Sequence, residues 1–183
     1  MRWQDQSETL TLPPAAAFLA TLSPTDSARF DQPDNAHPRI AITQGCFDAI
    51  TLHLNASRDE LGGLLVGQAY AGADGTLQII AANHGVESRA FDSTGVSLRM
   101  ETEVWNSARP LLDRGAAVVG WYHSHPDLGA FFSDTDRTTQ RSFFRQVFSI
   151  GIVIDPIRKE LKAFLGPDCV EIPPENVIVT AWA

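Results

Sequence analysis

Cysteine is scarce in this chain. Only Cys46 and Cys169 occur in 183 residues, far apart and in no Cys-x-x-Cys pair. That spacing excludes a cysteine-built zinc ribbon and the cysteine-ligated zinc of the nucleobase deaminases. The two read as buried free thiols in a reducing cytoplasm, with a single disulfide between them left open. Positive charge is also short: 14 Lys and Arg stand against 22 Asp and Glu, a formal net charge of −8. Phosphate binding needs basic surface, so no nucleic-acid partner is expected; a basic protein or peptide tail suits the acidic balance better. No apolar run reaches membrane-spanning length, so no membrane partner is expected either. Residues 12–22 are apolar, but Asp5 and Glu8 precede them where a secretory leader would be basic, and cytoplasmic residence follows as the expectation. Internal repeats and low-complexity tracts are absent.

What is present suits one globular domain. Hydrophobic residues make up 44% and charged residues 20%, enough apolar material for a proper core at this length. Pro13, Pro14, Pro24 and Pro33 mark residues 1–36 as an N-terminal extension, with PAAAFLATL as a short helix or packed arm, and residues 37–183 as the domain. Periodicity predicts strands over 39–43, 61–70, 77–84, 116–125 and 150–155, the last paired as a hairpin with 161–165. Helices are predicted over 44–56, over 97–114 with a disturbance at Pro110, and over 134–147. The polar stretch 86–95 reads as a loop, a candidate flap.

The chemistry concentrates in GWYHSHPDLGAFFSDTD, residues 120–136. His123 and His125 are two apart on a predicted strand, so both imidazoles point to one face. Pro126 ends the strand, and Asp136 arrives at the start of a helix. Two imidazoles and one carboxylate form a catalytic zinc set whose fourth position is left for water. The same residues also have a plainer reading, since Ser133-x-x-Asp136 is a capping-box pattern and a histidine pair near a strand end is often polar surface. Glu60 directly precedes the apolar run LGGLLVG, whose glycines suggest that a backbone or ligand approaches closely. It is either a carboxylate in reach of the site or part of a solvated cluster with Arg58 and Asp59. Trp121 and Tyr122 alternate on the same strand, so at least one faces away from the site. Phe131 and Phe132 line a groove or anchor the core, and His37, His53 and His84 read as ordinary surface or satisfied core histidines.

Taken together, Glu60 before LGGLLVG, then VVGWYHSHP, then Ser133 and Asp136 resemble the JAMM or MPN-plus signature of the JAB-domain zinc metalloproteases. The resemblance runs from about residue 39 to 165, with GIVIDPIRKELKAFLG similar to the strand-turn-strand that follows the catalytic helix in that family. Asp127 and Ala130 depart from the glycine and cysteine usual in eukaryotic members, and there is little room for their long insertions. The chain thus looks like a compact prokaryotic, deubiquitinase-like member.

The resemblance implies an α/β fold of the MPN/JAB type, a mixed sheet flanked by helices and similar to cytidine deaminases. It implies one zinc ion held by His123, His125 and Asp136, with Glu60 as general base and Ser133 as oxyanion donor. The implied reaction is hydrolysis of the amide bond after the C-terminal glycine of a ubiquitin-like protein. Activating or conjugating (E1/E2-like) enzymes of the same pathway are the implied further partners. A non-catalytic MPN scaffold is the alternative. A related DNA-repair-associated family and a small-molecule amidase or deaminase on the same scaffold fit less well: the first by the Trp-Tyr before the histidines and the acidic charge, the second by the missing cysteine pair.

Overall fold

The computed structural model describes residues 11–30, 36–88 and 102–182. Its centre is one mixed sheet of eight strands in the order β7-β6-β5-β4-β2-β3-β1-β8. In chain order these are β1 (Arg39–Thr43), β2 (Gly62–Ala71), β3 (Leu77–Glu87), β4 (Ala117–Ser124), β5 (Ile150–Asp155), β6 (Glu160–Leu165), β7 (Val170–Ile172) and β8 (Val177–Thr180). The helices are α1 (Ala15–Leu19), α2 (Pro24–Ala28), α3 (Gln44–Leu54), α4 (Thr102–Leu112) and α5 (Asp134–Phe143).

Two faces of the sheet carry separate cores. On one, α3 lays Cys46, Ile50 and Leu54 against Ile40, Ile42, Leu65, Ile80 and Tyr122. On the other, α4 supplies Val104 and Ala108 to a cluster with Leu64, Val66, Trp121, Phe132, Phe144, Val153 and Phe164. Burying such side chains supplies about 1.5–3 kcal/mol each before chain entropy is counted. A third cluster ties Ala15, Phe18 and Phe30 to Ala41, Ile79, Ala81 and Ile178. The described part of the N-terminal segment therefore packs on the sheet, and Ala71 N donates to the Pro13 carbonyl at 2.9 Å.

Most elements lie where periodicity places them, and the departures have local causes. β3 continues to Glu87, so Val86 and Glu87 of the expected flap are strand residues; residues 89–95 of that flap, and 97–101 of the expected helix, lie outside the described residues. α4 runs through Pro110 to Leu112. α5 stops at Phe143, because Phe144 leaves helical backbone (φ −119, ψ 61) and its ring stacks on Trp121 with centroids 5.8 Å apart. β7 and β8 were not expected. β8 returns to pair in parallel with β1, from Ile40↔Val177 to Thr43↔Thr180.

Two glycines within β2 answer to backbone and side-chain neighbours. A Cβ on Gly67 would strike the Ala81 carbonyl, and one on Gly63 would strike the Val86 carbonyl and the Tyr122 hydroxyl.

β4 sits between antiparallel β2 and parallel β5. Its pairing with β2 skips Val119: Leu65 opposes Gly120 and Val66 opposes Val118. This bulge puts Val119 in the same core as Tyr122 and sends Trp121 to the opposite face. At Gly120 a Cβ would collide with the Ile150 carbonyl of β5. We expect Gly120→Ala to cost about 2–4 kcal/mol of stability, read as a lower urea midpoint with an unchanged denaturant slope.

Candidate metal centre

The site is assembled from the C-terminal end of β4 and the N-terminal turn of α5. β4 carries His123, and the His125 N–H continues its pairing with β5 by donating to the Ile154 carbonyl at 3.1 Å. Both histidines and Asp136 are buried. His123 Nε2 stands 3.2 Å from His125 Nε2 and 3.1 Å from Asp136 Oδ1, and His125 Nε2 stands 3.5 Å from Asp136 Oδ2. Donor atoms held 2.0–2.1 Å from a tetrahedral zinc lie about 3.3 Å from one another. The His123–His125 and His123–Asp136 Oδ1 separations match edges of such a tetrahedron, and His125 meets the second oxygen of the same carboxylate. Two imidazole nitrogens facing each other at this distance also call for a shared cation or proton between them. The residues present therefore fit a zinc ion, and among the described residues this is the one group of three or more His, Cys, Asp and Glu that converges so.

Asp136 serves two purposes at once. Ser133 caps α5 by accepting from the Asp136 N–H at 3.2 Å, while Asp136 Oδ2 accepts from the Ser133 N–H and hydroxyl, each at 2.7 Å. The carboxylate that faces the two histidines is thus also half of the capping box. Burial works to raise the Asp136 pKa, but hydrogen bonds from His123, His125 and Ser133 outweigh it and hold the group well below the usual carboxylate range. For His125, burial works to lower the pKa, and the Asp136 and Glu60 carboxylates carry it above the ordinary imidazole value.

Glu60 reaches the site from the loop before β2. Its Oε1 lies 3.8 Å from His125 Nε2, and its side chain is about one-third exposed, at 34%. The position is set by the next residue: the Leu61 N–H donates to Ser124 Oγ at 3.0 Å, and the Ser124 N–H donates to the Leu61 carbonyl at 2.9 Å. Ser124, the residue between the two histidines, therefore ties the Glu60 loop to β4. In the sequence it is only a spacer.

The loop joining His125 to Ser133 is held by two carboxylates from the β5–β6 hairpin, neither of which the sequence singles out. Buried Asp155 accepts from the backbone N–H of Asp127, Gly129, Ile157 and Arg158 at 2.7–3.1 Å. Glu160 accepts from Ala130 N–H at 3.1 Å. The loop needs this support because Asp127 (φ 62) and Gly129 (φ 90) take left-handed backbone.

Of the two adjacent phenylalanines, Phe132 is core, its ring stacked on Phe164 with centroids 4.0 Å apart. Phe131 is 44% exposed and lies at the site, 4.7 Å from the His125 ring. His53 is satisfied elsewhere by the Tyr122 hydroxyl at 3.0 Å, and His84 Nδ1 pairs with Asn83 at 3.2 Å.

A sequence profile of the prokaryotic homologs of the JAB domain matches residues 43–163, a span that includes all five candidate site residues. The chain is similar to the ubiquitin carboxyl-terminal hydrolase RPN11 of Saccharomyces cerevisiae, 40% identical over 73 residues, which is 36% of this chain and 23% of that one. It is also similar to the deubiquitinase MYSM1 of Mus musculus, 34% identical over 117 residues, 60% of this chain and 14% of that one. The match thus spans less than a quarter of either relative's length. Among solved structures, the solution structure of protein DSY2949 from Desulfitobacterium hafniense superposes with a TM-score of 0.59, covering 79% of this chain and 94% of that one at 20% identity, a likeness of fold.

Burial opposes ionisation of Asp155, yet its backbone donors bring the carboxyl from an ordinary 3.8 to about 2. A depressed folded value means the stabilisation is full above about pH 4 and is lost as the pH falls toward 2. Asp155→Asn should therefore lower stability by about 2 kcal/mol at pH 7. Its deficit against wild type should narrow between pH 4 and 2, measured by denaturant titration at each pH.

Proposed function

This chain belongs to the prokaryotic homologs of the JAB domain, and on that premise we propose that it is a zinc-dependent peptidase. The bond cut is the amide that follows the C-terminal glycine of a ubiquitin-like protein. One observation carries the reading: buried His123, His125 and Asp136 converge with contacts of 3.1–3.5 Å, and a further carboxylate, Glu60, lies 3.8 Å from His125. The relatives whose names state ubiquitin hydrolysis support the substrate class.

His123, His125 and Asp136 would hold the zinc, which would supply Lewis acidity and bring the pKa of water to about 7. Glu60 takes the proton from the attacking water and delivers it to the departing amine, so one carboxylate serves as base and then as acid. Its partial exposure leaves it open to water and substrate. The Ser133 hydroxyl, turned from Asp136 Oδ2 to the substrate, donates to the developing oxyanion, a role worth about 3 kcal/mol in comparable sites. Its oxygen keeps the Asp136 N–H meanwhile, so the helix stays capped. Phe131, half-open beside His125, offers an apolar face to an extended C-terminal tail. The partner proposed from the names of the relatives is a ubiquitin-like protein, with activating or conjugating enzymes of its pathway, in the cytoplasm, as its companions. No helix among the described residues is long and apolar enough to cross a membrane.

The test is cleavage of a ubiquitin-like protein fused through its C-terminal glycine to a reporter, with zinc content measured in parallel. Wild type should bind one zinc and cleave. Glu60→Gln should keep the zinc and lose about 10²–10⁴-fold in rate, while His123→Ala and Asp136→Ala should lose both metal and activity. Zinc uptake without cleavage of any ubiquitin-like fusion would favour a non-catalytic scaffold; no zinc uptake would overturn the reading.

A further inference from the structure

A histidine that binds a metal is normally oriented by its other ring nitrogen, which donates to a carboxylate or carbonyl. His123 does not follow this pattern. Its Nδ1 is buried with no hydrogen-bond partner among the described residues. Its ring is instead stacked on the Trp121 indole, with centroids 4.5 Å apart and planes inclined by 7°.

A stack fixes a ring only if the surface beneath it is fixed. Trp121 Nε1 donates to Gln140 Oε1 at 2.6 Å. The Gln140 amide nitrogen donates to the Ser149 and Gly166 carbonyls at 3.0 and 3.2 Å. Those carbonyls can only accept, so they settle which way the amide points and leave its oxygen for the indole. All of Trp121, His123 and Gln140 are fully buried. Gly151 makes room for the arrangement, since a Cβ there would lie 3.0 Å from the indole nitrogen and run into Phe132. Gln140 and Asp136 are four residues apart and share one face of α5.

We infer that Gln140 and Trp121 are positioning residues for the metal centre: α5 presents Asp136 directly and sets the plane of His123 through the glutamine-bound indole. One helix then governs two of the three ligands, and a shift of α5 moves both together. The inference rests on the metal reading above.

The experiment uses the full chain as wild type, Gln140→Met, Trp121→Phe and Tyr122→Phe. Zinc affinity is measured by competition with a chromophoric chelator, the cobalt-substituted protein by its visible d–d bands, and stability by Tm. Gln140→Met should weaken zinc binding about 10-fold or more and shift the cobalt bands. Trp121→Phe keeps a ring against His123 without the N–H, and should fall between Gln140→Met and wild type. Tyr122→Phe, which removes the hydroxyl facing His53 on the other side of β4, should lower Tm while leaving zinc affinity and cobalt bands as in wild type. If Gln140→Met does not fold, Trp121→Phe decides. Wild-type zinc affinity and an unchanged cobalt spectrum in the altered proteins, with only Tm reduced, would make the array mere core packing and overturn the inference. A wild type that takes up neither zinc nor cobalt would instead bring down the metal reading, and this inference with it.

Discussion

Everything at this site depends on the register of β4 between β2 and β5. Side chains alternate along a strand, so a slip of one residue would carry His123 and His125 to the α3 side. The register is held on both flanks, from Gly62↔His123 on β2 to His123↔Val153 on β5. The bulge at Val119 adjusts the parity partway along, so that Val119 fills one core and Trp121 the other. Gly120, pressed against the Ile150 carbonyl, allows the two strands to come close at that point.

The side chains of the site converge because three separate segments are fixed by short polar contacts. Ser124 holds the loop that carries Glu60. Asp155 and Glu160 hold the loop that leads to Ser133. The capping box then sets the first turn of α5 and the direction of Asp136. These contacts are buried or half-buried, where an unmade hydrogen bond costs about 1–3 kcal/mol. Their satisfaction makes the loop geometry specific rather than merely permitted.

Much of this was legible in the chain. β1 and β5 are short apolar runs rich in isoleucine and valine, bounded by polar or turn residues, and both occur with the expected limits. The His-x-His spacing gave the shared face, and Ser133-x-x-Asp136 gave the helix start. β7 and β8 were not legible, being only three and four residues long and without a strong alternating pattern. Ser124, Gln140 and Asp155 were also hidden. Their roles come from partners 63, 19 and 26–28 residues away, and no local spacing announces a contact of that kind.

The sequence by itself determined the chemistry available: two imidazoles on one strand face, a carboxylate in a capping box and a glutamate before a glycine-rich strand. These are consequences of local backbone period and local hydrogen bonding, which act within a few residues. Tertiary structure alone decided that Glu60 and Asp136 both meet His125, that Trp121 lies flat on His123 while Tyr122 turns away, and that Phe131 rather than Phe132 stands open beside the site. Those outcomes depend on strand register, on a one-residue bulge and on buried hydrogen bonds between distant segments. Such terms exist only once the sheet has closed around them.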